Sequence, residues 1–378
     1  MNFGKRLERL RQYMAGNNIA ASIVMQPENQ FYYSNFIVRN YSRPIILFIS
    51  LDKIVLIVPT LEEKHALRDA LADQIDVYHE HPERAAESSS HLVYLDRVLG
   101  TLPEGATVGI EFSVMNTGLS SHITKHGLKL FDIAGEIAQA RMIKDDLEIA
   151  LLYQAGELVN LALAESLKNA RPGMSEVEID SFGNYALFQE ATRKYPNADI
   201  SFRVMTPTGV ERTVMPHGFS NTKRLEAGEI AIQSRHVALN GYMAELERTF
   251  FMGSPTAKQK EVFQVMLEAQ KAGIAAVAPG VKAKEIDAAA RSVIQKAHFG
   301  EFFIHRTGHG LGISVHEGPY LRYDSDLVIQ PGMVVSIEPA IYIPGIGGFR
   351  HSDTVLVTQS GSALMTNYPR ELEDLILS

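Results

Sequence analysis

HRTGHGLGISVHEGP, residues 305–319, places His305, His309 and His316 within one short glycine-rich run. His305 stands four residues before His309, and His316 follows seven residues after, a density that favours a site over chance. Four segments extend the pattern outward: VMPHG (214–218) and GYMAELERTFF (241–251) before it, SIEPAIY (336–342) and GFRHSDTVLVT (348–358) after it. In GYMAELERTFF the alternation of a β-strand puts Glu245 and Glu247 on one face and turns Arg248 away. His217, Glu245, Glu247, His309 and Glu338 are therefore the first candidates for chemistry.

The rest of the chain sets bounds on that chemistry. Its 378 residues, 46% apolar and 21% charged, are enough for two compact domains. With no cysteine there is no disulfide or thiolate nucleophile, so any metal needs histidine and carboxylate ligands. A net charge of −8 gives no electrostatic case for nucleic acid, and no basic stripe appears. There is no run of eighteen or more apolar residues, and MNFGKRLERLRQYM reads as an amphipathic helix without the apolar core of a signal peptide. The expectation is a cytoplasmic protein that binds neither membrane nor nucleic acid.

Helix and strand signals alternate over residues 1–140, where ASIVM, PIILFI, KIVLIVP and TVGIEF are short β-rich runs. That is an α/β domain. A boundary falls near RMIKDD, after which a long apolar periodicity runs unbroken to Pro172. A weak internal repeat follows: ARPGMSEVEID (170–180) and VAPGVKAKEID (277–287) both carry Pro-Gly, four residues, then Glu-Ile-Asp. Pro-Gly ends one helix and a polar residue caps the next, so two related helix-turn-helix halves are expected. EIAIQSRHVAL, MVVSIEPAIYI and DTVLVT supply the sheet between them.

Taken in order, these segments resemble the pita-bread family that includes methionine aminopeptidase, the Xaa-Pro dipeptidases and aminopeptidases, and creatinase. The resemblance spans nearly the whole chain, including FYYSNFIVRNYSRP (31–44) and RMIKDDLEI (141–149). It implies an N-terminal creatinase-type α/β domain over 1–140, and a catalytic α+β pita-bread domain with pseudo-twofold duplicated halves over 141–378. Metal peptidases of this family hold two ions through two Asp, one His and two Glu. Carried over residue by residue, those places fall on Ser234, Glu245, His309, Glu338 and Ser352. Neither serine replaces a bridging carboxylate, so the resemblance implies a centre without metal; the alternative is one divalent ion on Glu245, His309 and Glu338, aided by His351.

The metal-free branch represented by creatinase matches at Glu247, whose counterpart grips a cationic group, and at Glu338. Its catalytic histidine corresponds to His217, eleven residues before Gly228-Glu229. On this resemblance the expected activity is metal-independent hydrolysis of a C–N bond in a guanidine, amidine or cyclic amidine of a small zwitterion. His217 serves as base and then acid, beside His309, while Glu245, Glu247 and Glu338 bind the cationic group. His305, His316 and Arg322 line the substrate, and Tyr41 and Arg43 reach it from the partner of an obligate homodimer. The competing readings are an Xaa-Pro dipeptidase or aminopeptidase with an altered metal centre, favoured by HGLGISVHEGP, and an inactive binding protein.

Overall fold

The computed structural model describes residues 2–37, 42–81, 83 and 89–378. The chain divides into two units, Met1–Arg141 and Met142–Ser378. In the first unit the strands are β1 (Ile19–Val24), β2 (Ile46–Ser50), β3 (Ile54–Pro59), β4 (Gln74–Tyr78), β5 (Thr107–Ile110) and β6 (Lys129–Asp132). They form a mixed sheet in the order β4-β3-β2-β1-β5-β6. Helices α1 (Phe3–Gly16), α2 (Pro27–Ser34), α3 (Glu63–Asp69), α4 (His91–Leu99), α5 (Thr117–Lys125) and α6 (Ala134–Met142) accompany it. Ile23, Ile46, Phe48, Val55, Ile57 and Leu95 are buried in one apolar cluster, each contributing about 1.5–3 kcal/mol of burial.

The second unit is built from α7 (Asp146–Asn169), α8 (Glu176–Lys194), β7 (Ile200–Met205), α9 (Val210–Thr213), β8 (Ile230–Leu239), β9 (Tyr242–Met252), α10 (Ala257–Ala275) and α11 (Ala283–Lys296). There follow β10 (Gly308–Gly310), β11 (Glu317–Leu321), β12 (Val334–Ile337), β13 (Ala340–Ile343), β14 (Gly347–Arg350) and β15 (Ser352–Val357). The main sheet runs β11-β10-β12-β15-β9-β8-β7, and β13 pairs with β14 as a hairpin. By length and composition α7 could cross a membrane, but Leu158, Val159, Ala162 and Leu163 belong to the apolar cluster that also holds Val237, Leu246 and Phe250 of β8 and β9. Every residue of β8 is buried, so its polar members are there despite a desolvation cost.

The two helix pairs are joined alike. Gly173 and Gly280 both have φ of 87°, which favours glycine, and the amide of each donates to a later segment, at Leu225 O and Ile329 O respectively. Glu178 and Glu285 each reach back to the amide opening the following helix, at Ser175 and Lys282. The two repeated aspartates do matching work. Thr206 Oγ1 donates to Asp180 at 2.5 Å, while the Thr307 amide and hydroxyl donate to Asp287 at 3.0 and 2.9 Å. The second clamp fixes the backbone two residues before His309.

Candidate active site

Three adjacent strands set out the site. Ser234 of β8 lies opposite Glu247 of β9, His236 opposite Glu245, and Ser352 of β15 lies on the other side of Glu247. Directly paired residues project to one face, so Ser234, Glu247 and Ser352 make one row across the sheet and His236 with Glu245 the next. The opposite face takes Gln233, Arg235 and Arg248, with Arg248 paired to Asp353 at 3.0 Å.

His309 reaches this face from β10, where the backbones leave no room for side chains beside it. A Cβ on Gly308 would lie 1.9 Å from Ser336 O, and one on Gly310 would lie 2.1 Å from Gly318 O. His309 Nδ1 sits 3.0 Å from Gly310 O. Because a carbonyl only accepts, Nδ1 carries the proton, and Nε2 of the neutral ring presents a lone pair. That nitrogen lies 3.2 Å from Glu338 Oε1 and 3.5 Å from Glu245 Oε2, buried and without a well-formed hydrogen bond.

Electrostatics makes the same point. Burial opposes a second proton on His309, yet Glu338 and Glu245 outweigh it and push the imidazole up to about 9. Burial would raise Glu245, but His236, with Nε2 3.0 Å from Oε2, more than offsets that and keeps the carboxyl well below its ordinary range. Burial and Glu245 both raise Glu338, and His309 brings it below its usual value. Without an ion, a proton on Nε2 meets the two carboxylates; a divalent ion would take that proton's place and use the Nε2 lone pair as a ligand.

Glu245, His309 and Glu338 each offer one ligand atom, all within 4.8 Å of one another. This donor set, with Nδ1–H of the histidine held by a carbonyl, fits one divalent ion such as Mn²⁺, Co²⁺ or Zn²⁺. A second ion does not fit. Ser352 Oγ donates to Glu245 Oε1 at 2.6 Å, and Ser234 Oγ is buried without a well-formed hydrogen bond. Glu247, between them, is taken by Arg350: Nη2 lies 2.8 Å from Oε1 and Nε 2.5 Å from Oε2.

Several expected residues change meaning. Glu247 is not open to a substrate cation, because Arg350 already occupies it. His305 is held by Tyr342 OH at 3.2 Å and by Arg306 O at 2.7 Å, and burial lowers its pKa. His316 stacks on His309 with ring centroids 3.8 Å apart; burial and His309 push it down to about 4, so it accepts from Arg306 as a neutral ring. His351 is no ligand: it is fully buried, is pushed down to about 3 by burial and by Arg248, and uses its ring nitrogens on Thr249 N and Arg370 O. Arg322 pairs with Asp324 at the surface, and Arg43 with Glu80 at 2.6 Å. Tyr41 lies outside the described residues.

His217 is exposed on the loop after α9, and that loop is tied to the site. Arg350 Nη1 donates to Pro216 O at 3.1 Å, and Arg212 Nη2 to Phe219 O at 2.6 Å. Sequence reasoning missed Arg350 and Tyr342, and left His236 ambiguous between a site role and a surface or packing role. Strand alternation pairs His236 with Ser234 and could have found it; Arg350 becomes a partner of Glu247 only through the turn between β14 and β15.

A creatinase-type unit followed by a pita-bread unit whose sheet carries a carboxylate–histidine cluster defines a class of C–N bond hydrolases. Residues 150–359 match metallopeptidase family M24 and residues 6–143 match the creatinase/prolidase N-terminal domain, and the chain belongs to that family. An Xaa-Pro dipeptidase of Pyrococcus furiosus is 30% identical over 372 residues, covering 97% of this chain and 99% of its own. A putative dipeptidase of Bacillus subtilis is 33% identical over 377 residues, covering 97% and 99%. The solved prolidase of Pyrococcus horikoshii superposes with a TM-score of 0.84 at 30% identity, covering 97% of this chain and 99% of that one.

These relatives correct two expectations. Metal-independent hydrolysis of an amidine is overturned, since full-length relatives are Xaa-Pro dipeptidases and the family is one of metallopeptidases. The expected absence of a metal is overturned with it, because the family is one of metallopeptidases and Glu245, His309 and Glu338 converge so that they could hold an ion. Glu247 had pointed toward the metal-free branch because its strand position was legible and its partner was not.

Proposed function

We propose that the protein is an Xaa-Pro peptidase, cleaving the bond before proline in short peptides with one divalent ion on Glu245, His309 and Glu338. The observation that carries this reading is the buried, unbonded His309 Nε2 between two carboxylates. Such an ion supplies Lewis acidity toward the scissile carbonyl. The chain's own residues do the rest. His236 and Ser352 orient Glu245 from either side. Once water has added to the carbonyl, His217 protonates the departing proline nitrogen, which as a tertiary amide has no proton of its own and leaves as a secondary amine. Met215 and Phe219, exposed on either side of His217, offer an apolar surface suited to a pyrrolidine ring. Loaded with Mn²⁺ or Co²⁺, the protein should hydrolyse Ala-Pro and Met-Pro with kcat/KM at least about tenfold above Ala-Ala. Equal rates on Ala-Ala, or hydrolysis that survives complete chelation, would overturn the reading.

We also propose a cytoplasmic homodimer with residues 141–378 catalytic and, as the resemblance to creatinase implies, Arg43 of the N-terminal domain delivered to the partner's site. Mixing inactive Arg43→Ala and His217→Ala subunits should then restore up to about a quarter of full activity, since half the dimers are mixed and each has one intact site of two. Verified exchange without recovery would show that Arg43 acts in its own subunit or not at all.

A further inference from the structure

The row Ser234–Glu247–Ser352 beside the ion-binding cluster needs its own account. Among the described residues it holds one carboxylate, with a serine directly opposite it on each neighbouring strand. Both oxygens of that carboxylate face one guanidinium, and neither serine brings a negative charge to the row. Arg350 itself is 5% exposed. Its remaining contacts run to the Tyr342 hydroxyl at 2.8 Å, which in turn meets His305 Nε2 at 3.2 Å, and to Pro216 O beside His217.

We propose that Arg350, anchored by Glu247, is a built-in charge partner of the centre, so that one divalent ion per chain suffices and the guanidinium balances the carboxylate that the ion leaves uncompensated. The proposal rests on the one-ion reading above but not on the identity of the peptide. Glu245, Glu247 and Glu338 are three carboxylates on one buried face, and a single divalent ion leaves one of them uncompensated. Arg350 supplies the missing charge. Burial works against that charge, and Glu247 outweighs burial, holding the guanidinium protonated well above its ordinary range. From the same position Arg350 fixes the carbonyl next to His217, which makes it a positioning residue for that loop. A guanidinium is suited to both tasks because its planar fork takes both carboxylate oxygens and still has donors to spare.

The test is a metal titration, by calorimetry and elemental analysis, of chelated protein with Mn²⁺ and Co²⁺ alone. The unaltered chain should bind one equivalent tightly. Glu247→Gln leaves the Arg350 charge unbalanced beside the ion and should weaken its binding by roughly tenfold or more. Arg350→Met removes the competing cation and should do the opposite, tightening the first ion by roughly tenfold or admitting a second. The Glu247→Gln/Arg350→Met double variant, neutral at both positions, should return close to the original affinity. Opposite signs separate a charge role from a packing role, because damage to packing would weaken binding in both single variants and further in the double. Two tight equivalents in the unaltered chain, or weaker binding in folded Arg350→Met, would overturn the proposal. Since no peptide is present, absence of proline specificity leaves these outcomes untouched.

Discussion

Two groups of histidine and carboxylate in this molecule offer similar donors and differ in everything around them. In the first unit, His122 and His126 both direct Nε2 at Asp96 Oδ1, at 2.6 and 2.8 Å, with side-chain exposures of 25%, 30% and 44%. His122 also borders an open cavity of about 670 Å³ shared with His91 and Lys125. In the second unit, Glu245 and His309 are 2% exposed or less and Glu338 is 14% exposed, and His309 Nε2 has no well-formed bond. The surface group is complete without an ion, because both imidazoles already meet the exposed Asp96 carboxylate at hydrogen-bond distance. The buried group is incomplete, and in a medium that screens little, its charges must be met by a cation. Convergence alone therefore does not mark a metal site; an unsatisfied buried donor atom does.

The sharpest way to break the comparison is to remove ligands from each group. Glu245→Gln and His309→Ala should abolish tight binding of Mn²⁺ or Co²⁺ and lower peptidase activity by roughly 10³-fold or more. His122→Ala/His126→Ala should leave the metal content unchanged. Elemental analysis after gel filtration reads both, and loss of one equivalent from the surface variant would show that exposure does not prevent that group from holding an ion.

The same contrast explains what was legible in the sequence. The repeat was readable because Pro172-Gly173 and Pro279-Gly280 act locally, stopping a helix and turning the chain wherever they occur. The shared face of Glu245 and Glu247 was readable because strand alternation is local as well. The partners were not. Glu247 looked like a free carboxylate because Arg350 reaches it only after β15 docks on β9 at Ser352↔Glu247. His236 and His351 looked equally ambiguous in the sequence, yet one contacts Glu245 and the other packs against Phe263 with ring centroids 5.2 Å apart. The registers between distant strands decide such questions. The serines at 234 and 352 bring no carboxylate to the centre, and the step from there to no ion at all went too far, since Glu245, His309 and Glu338 form a set without them.

A smaller effect tests burial against exposure where no metal is involved. On the reverse face of the same strands, Asp353 accepts from Arg248, Arg370, Thr366 and Gln270 at 2.8–3.0 Å, and both Asp353 and Arg248 are fully buried. Asp353→Asn leaves Arg248 buried without its counter-charge and should cost about 3–5 kcal/mol. Asp96→Asn, whose partners are solvated, should cost under about 1 kcal/mol. Burial tends to raise the Asp353 carboxyl, but Arg248 and Arg370 outweigh it and hold it below its ordinary value. A depressed folded pKa means the stabilisation is present above the unfolded value of about 3.9 and is lost as pH falls through the folded one. Urea unfolding of metal-free protein should therefore show a constant gap between the parent and Asp353→Asn from about pH 8 to pH 5, narrowing only below about pH 4. A gap that widened on acidification, or one no larger than that of Asp96→Asn, would mean that the Arg248 pairing does not govern stability and that burial is a poor guide to which carboxylates in this fold matter.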